Sequence, residues 1–281
     1  MIRIVTDSTC DLPEAELARY QVHVVPIIIA FGTESYREGV TIDPPTFYRR
    51  IEEEGMLPTT SQPSPGDFAE AYRALAAEGA DTILSLHVTG KLSGTCQSAE
   101  MAAEMVKDVV QVHVFDSLAG SAALGYMVLE AARMAEEGAE AATILSRLEA
   151  IRRRVHFLLT LQDLRFAQMS GRVGRLQGAL ASLLNVKPII YLEDGLLDVA
   201  ERVRTRKRAV DRMIEMMKER VGTSLPVRLA VVHAEAPEEA QRLMERALQT
   251  FNAQESFLED LAISLAVHFG PGTLGLIAYP V

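Results

Sequence analysis

Short β-branched runs alternate with helical segments through the first half of the chain, and this alternation constrains the fold more than any other feature. Ile2–Val5, Val22–Ile29, Thr82–His87 and Val110–Phe115 read as strands. Helix signals lie between them. Asp11 precedes Pro13 and Glu14 in a start resembling a capping box. Ser64-Pro65-Gly66-Asp67 places Ser64 as N-cap and Pro65 at the first position of a helix that ends near Glu78-Gly79. Ser93–Val106 is a third helical sequence. Strands separated by helices imply crossover connections and a mostly parallel sheet. Such sheets bind ligands in the crevice beyond the carboxyl ends of their strands.

Beyond an Ala/Glu/Leu helical stretch at Ala119–Ala150, broken near Gly138, the pattern changes. The Val155–Thr160 strand and a helical piece at Leu161–Met169 lead into Ser170-Gly171-Arg172-Val173-Gly174-Arg175. Lys187–Leu192 and Leu196–Val203 flank Glu193-Asp194-Gly195, a hairpin signal. A helix at Thr205–Arg220, a strand at Val227–His233, a helix at Pro237–Leu248 and a strand pair at Ala262–Val267 and Leu274–Tyr279 complete it. The 281 residues therefore read as two α/β-class domains. An N-terminal, mostly parallel α/β domain covers residues 1–154, and a C-terminal α+β mixed-sheet domain covers 155–281.

Charge and composition narrow the function. A net charge of −10 argues against broad nucleic-acid binding, which needs a basic footprint. Cys10 and Cys96 are too few for a disulfide framework and lack metal-ligand spacing. The longest apolar run, Val24–Phe31, is far short of the roughly 20 residues a bilayer span needs. The N-terminus lacks the parts of a secretion signal, so a cytoplasmic protein is expected, with no cofactor and no metal.

Four polar or glycine-rich spots interrupt the pattern. Thr6-Asp7-Ser8-Thr9 ends the first strand, where a site-lining role and a helix-entry turn are equally good readings. Thr59-Thr60-Ser61-Gln62-Pro63 offers hydroxyls that can donate to a carboxylate or phosphate, although a plain capping segment is the simpler reading. Gly90-Lys91-Leu92-Ser93-Gly94-Thr95 sits at a strand–loop–helix junction, where helix-terminal amides receive anions. It has neither the P-loop spacing nor the G-x-S-x-G elbow, and Ser93 as a bare N-cap is its plainer reading. His268-Phe269-Gly270-Pro271-Gly272-Thr273-Leu274-Gly275 matches G-x-G-x-x-G but has no following helix, which excludes a dinucleotide site. Of Arg202, Arg204, Arg206, Lys207 and Arg208, most are expected on a solvated strand end, while one could grip an anion bidentately. Cys96 reads as packing.

Together these residues resemble the DegV family of bacterial fatty-acid-binding proteins. I-V-T-D-S-T-x-D-L, the T-S-Q-P loop, L-S-G-T, S-G-R-V, K-P-I-I…D-G, the R-T after it and the terminal H-F-G-P-G-T-L-G stand in the family's order along essentially the whole chain. The resemblance implies a long-chain fatty acid held in an apolar tunnel between the two domains. It implies that the acid's carboxyl group is presented to a DAK-type fatty-acid kinase subunit, giving an acyl phosphate for phospholipid synthesis. Thr60, Ser93 and Gly94 would bind the carboxylate. Arg204, His268 and Arg172 would lie at the entrance, where phosphoryl transfer or kinase docking occurs. The family commonly has two glycines before that last arginine, and here the first is Ser170. Lys91 stands where relatives often carry a small residue, an extra cation near the head group. A monomer, with transient contact at a membrane surface and no nucleic-acid partner, is the expected working form. Two other readings compete: a stand-alone enzyme using Ser93 or His268, and a lipid-sensing regulatory module.

Overall fold

The computed structural model describes residues 1–171 and 186–281. It divides into two compact units, Met1–Arg153 and Arg154–Val281. In the first, the elements run β1 (Ile2–Asp7), α1 (Glu14–Arg19), β2 (His23–Val25), β3 (Ile28–Phe31), β4 (Glu34–Arg37), α2 (Pro44–Glu54), β5 (Thr59–Ser61), α3 (Pro65–Ala77), β6 (Thr82–His87), α4 (Thr95–Met105), β7 (Gln111–Asp116), α5 (Ser121–Glu136) and α6 (Ala141–Arg152).

The alternation of strand and helix yields a parallel sheet of order β2-β1-β6-β7. One face carries Val5 and Ile83 into a core with Phe68, Tyr72, Ala99 and Ala102 of α3 and α4. The other face presents Ile4, Leu84 and Leu86, also buried, and α5 packs on β1 and β6. Covering both faces explains why β6 is buried from Ile83 to His87, as the strands of parallel sheets generally are. α5 follows the same logic, since Ser121 to Ala132 are all buried.

Several local expectations are corrected. The run Val22–Ile29 is not one strand. Pro26 has no N–H to give a ladder, and the chain leaves the parallel sheet at Val25 to start an antiparallel sheet of order β4-β3-β5. Asp11 does not cap α1; it adopts a left-handed conformation (φ 39°) and accepts a hydrogen bond from the Ser121 hydroxyl. α1 instead follows Pro13 without a side-chain cap. Ser64, in contrast, builds a full capping box with Asp67.

The second unit runs β8 (His156–Thr160), α7 (Arg165–Ser170), β9 (Lys187–Glu193), β10 (Leu196–Val203), α8 (Arg206–Val221), β11 (Pro226–His233), α9 (Pro237–Thr250), β12 (Asn252–Asp260), α10 (Ile263–Phe269) and β13 (Leu274–Pro280). Its mixed sheet has the order β10-β9-β8-β13-β11-β12, antiparallel except for the β11–β12 pair. Asp194 and Gly195 both take positive φ, the tight primed turn that closes β9 on β10. Leu158, Ile189, Leu229, Val231, Leu276 and Ala278 meet Met213, Met217, Leu243 and Met244 of α8 and α9 in one core.

Two strand assignments fail in this unit. Ala262–Val267 lies in a helix, because a short apolar run cannot distinguish strand from buried helix. The partner of the last strand is found elsewhere, and the strand the sequence hides is β12. It is an edge strand in which six of nine residues are polar or charged, which blunts the edge and masks the signal. The helical piece at Leu161–Met169 is shorter than expected: Asp163 accepts from the Arg165 N–H at 2.7 Å, forming a turn, and α7 begins only at Arg165. Among the described residues, no helix is long and apolar enough to cross a membrane.

Candidate functional site

In the first unit, the polar segments converge on the N-terminus of α4. The Thr60 segment is β5, paired to β3 in the small sheet, and the chain beyond it brings Gln62 against Gly94. A Cβ at position 94 would stand 2.9 Å from Gln62 Nε2, so any larger residue there would have to displace that amide. Ser93 is not the N-cap. Gly94 occupies that position and offers no side-chain cap, leaving first-turn amides as donors in need of acceptors. The Ser93 hydroxyl accepts from Thr95 N–H (3.2 Å) and lies 2.7 Å from Thr95 Oγ1. Ser93 and Thr60 are half-buried and Lys91 is exposed. The Ser93 hydroxyl and the first-turn amides of α4 thus form an uncharged helix N-terminus suited to an anion.

Beneath this loop lies a polar group that sequence reading found only at one end. Asp7, Ser85, His87 and Tyr72 are all fully buried. Tyr72 Oη lies 2.7 Å from Ser85 Oγ, Ser85 Oγ 2.6 Å from His87 Nε2, and His87 Nδ1 3.0 Å from Asp7 Oδ2. Asp7 also accepts from Val88 N–H (3.0 Å) and from the amide and hydroxyl of Thr9 (3.1 and 2.6 Å). Burial pushes the Asp7 carboxyl up, but the bonds from His87, Thr9 and Val88 prevail and hold it below the ordinary carboxylate range. The signal was present in β6: Ser85 and His87 alternate on one face of an otherwise apolar strand, where lone polar residues need partners. Ser85–His87–Asp7 has the order of a nucleophile, base and orienting carboxylate. Ser85, however, is sealed from solvent and bonded to Tyr72, so this chain of bonds meets no substrate.

Thr6-Asp7-Ser8-Thr9 is thus a helix-entry turn and a structural hub together. Asp7 caps a 3-10 turn at Ser8–Cys10, and Ser8 accepts from Ile27 N–H (2.9 Å) while donating to Glu38. Cys96 is buried, its thiol donates toward the Val88 carbonyl at 3.5 Å, and burial pushes its pKa up, which leaves it inert.

In the second unit, His268 lies in the last turn of α10 and is half-buried. The glycine loop after it is shaped by close packing. Gly270 and Gly272 have φ of 79° and 80°, and a Cβ at either would come within 2.5 Å of Phe166 or Gln162. Arg204 is exposed in the two-residue link between β10 and α8. Its neighbour Arg206 is not a free cation. Its guanidinium donates to the carbonyls of Gly272 (2.6 Å) and Thr160 (3.4 Å) and to Glu239 (2.8 Å). Arg172 lies outside the described residues. Among the described residues, no group of three His, Cys, Asp or Glu side chains is placed to hold a metal ion.

The comparisons agree with this architecture. The family model described as "Uncharacterised protein, DegV family" matches residues 1–281. A DegV domain-containing protein of Halalkalibacterium halodurans is 35% identical over 278 residues, covering 99% of this chain and 98% of its own. A DegV family protein from Thermus thermophilus, solved in a study of its fatty acid binding, superposes with a TM-score of 0.93 at 37% identity, covering 100% of this chain and 99% of that one. DegV of Bacillus subtilis, described as a fatty acid binding protein, superposes with a TM-score of 0.92 at 33% identity, with the same coverage. With the parallel sheet, the mixed sheet and the ordered motifs all accounted for, this chain belongs to the DegV family.

Proposed function

We propose that this chain binds one long-chain fatty acid and presents its carboxyl group to a separate DAK-type kinase subunit, which converts it to an acyl phosphate. The observation that carries the reading is the likeness, along the whole chain, to two solved relatives described as fatty-acid-binding, at TM-scores of 0.93 and 0.92. The chemistry at α4 supports it. Alkyl burial contributes about 0.8 kcal/mol per methylene, so the tail can supply most of the affinity. The head then needs only to have its carboxylate satisfied, since an unpaired buried charge is costly. Neutral hydroxyls and helix-terminal amides do this without forming a tight ion pair and leave one oxygen free for phosphorylation. We assign the carboxylate to Thr60, Ser93 and Gly94, and the phosphoryl step or kinase docking to Arg204 and His268, with Arg172 in the same group by its place in the motif.

The test is mass spectrometry of protein purified from a bacterial host, denatured after washing. Close to one acyl chain per molecule is expected. A chain-free protein with no affinity for oleate or palmitate sinks the reading. Incubation with ATP and fatty acid alone should give no acyl phosphate, and its appearance without a partner would favour the stand-alone enzyme.

A further inference from the structure

The buried polar chain beneath α4 has a direction, and hydrogen counting gives it. Asp7 is an acceptor at both oxygens, so His87 Nδ1 must carry a proton. Among the described residues, His87 Nε2 has only Ser85 as a hydrogen-bond partner, and the Tyr72 hydroxyl bonds only to Ser85. A proton on Nε2 would turn the Ser85 hydroxyl toward Tyr72 and leave the phenolic proton without an acceptor. With Nε2 bare, Tyr72 donates to Ser85, Ser85 to His87 and His87 to Asp7, and every proton is used.

The receiving end of this chain also holds the loop that leads to α4. Asp7 Oδ2 takes the amide of Val88, the first residue after β6. The loop is tied onward from there: Thr89 N–H donates to the Ala119 carbonyl (2.8 Å), and Ser93 N–H donates to the Thr89 carbonyl (3.1 Å). The Ser117 hydroxyl fixes the His87 carbonyl at 2.7 Å. Asp7 therefore fixes the point where Val88 leaves the sheet, and Asp116 Oδ2 takes the Gly90 N–H (3.2 Å) farther along the same loop.

We propose that Asp7, with His87, is a positioning residue for carboxylate recognition: its buried charge aims the Ser93 hydroxyl and the α4 amides at the fatty-acid head group. This inference rests on the assignment of the head group to Ser93 and Gly94, and the experiment separates the two. Dissociation constants are measured for palmitic acid and for hexadecanol, which has the same chain without the carboxylate, on the wild-type protein, Asp7→Asn, Tyr72→Phe and Ser93→Ala. Asn presents an amide donor to at least one buried N–H whichever way it is turned, so Asp7→Asn should weaken palmitic acid about tenfold and leave hexadecanol within about twofold. Tyr72→Phe removes the first donor only and should leave both ligands within about twofold. If Ser93→Ala leaves the preference for acid over alcohol intact, the head-group assignment fails. If Ser93→Ala narrows that preference and Asp7→Asn does not, or Asp7→Asn weakens both ligands equally, positioning by Asp7 is overturned and the assignment stands. Should Asp7→Asn not fold, Ser85→Ala replaces it, with about a threefold loss confined to the acid expected and an unselective effect or none overturning the idea. In the wild-type protein, long-range proton–nitrogen NMR should find His87 protonated at Nδ1 and bare at Nε2; the other tautomer refutes the direction of the chain.

Discussion

The two units each fasten a loop to a sheet with one charged side chain, and they use opposite signs. In the parallel-sheet unit, Asp7 gathers donors: the Val88 and Thr9 amides, the Thr9 hydroxyl and the His87 ring. In the mixed-sheet unit, Arg206 gathers acceptors: the Gly272 and Thr160 carbonyls and Glu239. The sign follows from what each loop leaves unpaired, an amide at Val88 and a carbonyl at Gly272. The burial differs as well. Asp7 is fully buried, whereas the Arg206 side chain is 17% exposed and its partner Glu239 39%. Water can replace part of what Arg206 supplies and none of what Asp7 supplies.

That difference predicts unequal losses. Asp7→Ala strands the Val88 and Thr9 amides and the His87 ring proton in a dry interior, at about 1–3 kcal/mol for each of the three unsatisfied donors, so a total of about 3–9 kcal/mol is expected in urea unfolding. Arg206→Ala leaves carbonyls, which tolerate under-satisfaction better, beside a carboxylate that can rehydrate; about 2 kcal/mol is expected from the same measurement. Arg206→Lys should recover only part of this, because an ammonium cannot span the carbonyls and Glu239 as a planar fork does. Equal losses at Asp7 and Arg206 would break the comparison.

A smaller pair of effects concerns the groups these clamps support. Ser93→Ala and Thr60→Ala should each weaken fatty-acid binding by about 1.5 kcal/mol, read by titration calorimetry, if their hydroxyls meet the carboxylate. Arg204→Ala and His268→Ala should leave that affinity within about twofold and reduce acyl-phosphate formation with the kinase partner present. Equal effects on binding and phosphorylation would remove the distinction drawn between the units.

What the sequence disclosed tracks how local the signal is. β6 and the capping box at Ser64 rest on neighbouring residues and were legible. β12 was not, because an edge strand carries charge for reasons unrelated to its pairing. Asp7 stood out as a polar residue at a strand end, but its partner His87 lies 80 residues away, and nothing in the spacing joins them. The same holds for Arg206, read as one of several solvated cations and found reaching Gly272, 66 residues on. Gln62 and Gly94 belonged to two separate motifs, and only the fold sets one against the other.

The last and smallest prediction uses a feature the units share. Each holds a half-buried histidine below the ordinary imidazole range: His23 in β2, where burial is the main cause, Arg3 adds to it and Glu78 opposes, and His156 at the start of β8, where burial is reinforced by Arg220. For such a group the unfolded chain takes up protons before the folded one. Its contribution to stability is therefore complete above the unfolded value of about 6.5 and declines as pH falls through the lower folded value. Asp7 behaves differently. Its carboxyl is depressed in the fold, so its contribution holds above about 3.9 and is lost only in stronger acid. Burial also lowers His233, against Asp260 and Glu235, so urea unfolding followed from pH 8 to pH 3 should show a shallow decline beginning near 6.5, reduced in His23→Gln/His156→Gln, and a steeper one at acid pH, flattened in Asp7→Asn. A mild-acid decline that survives the double histidine substitution would place its origin in groups other than these two rings.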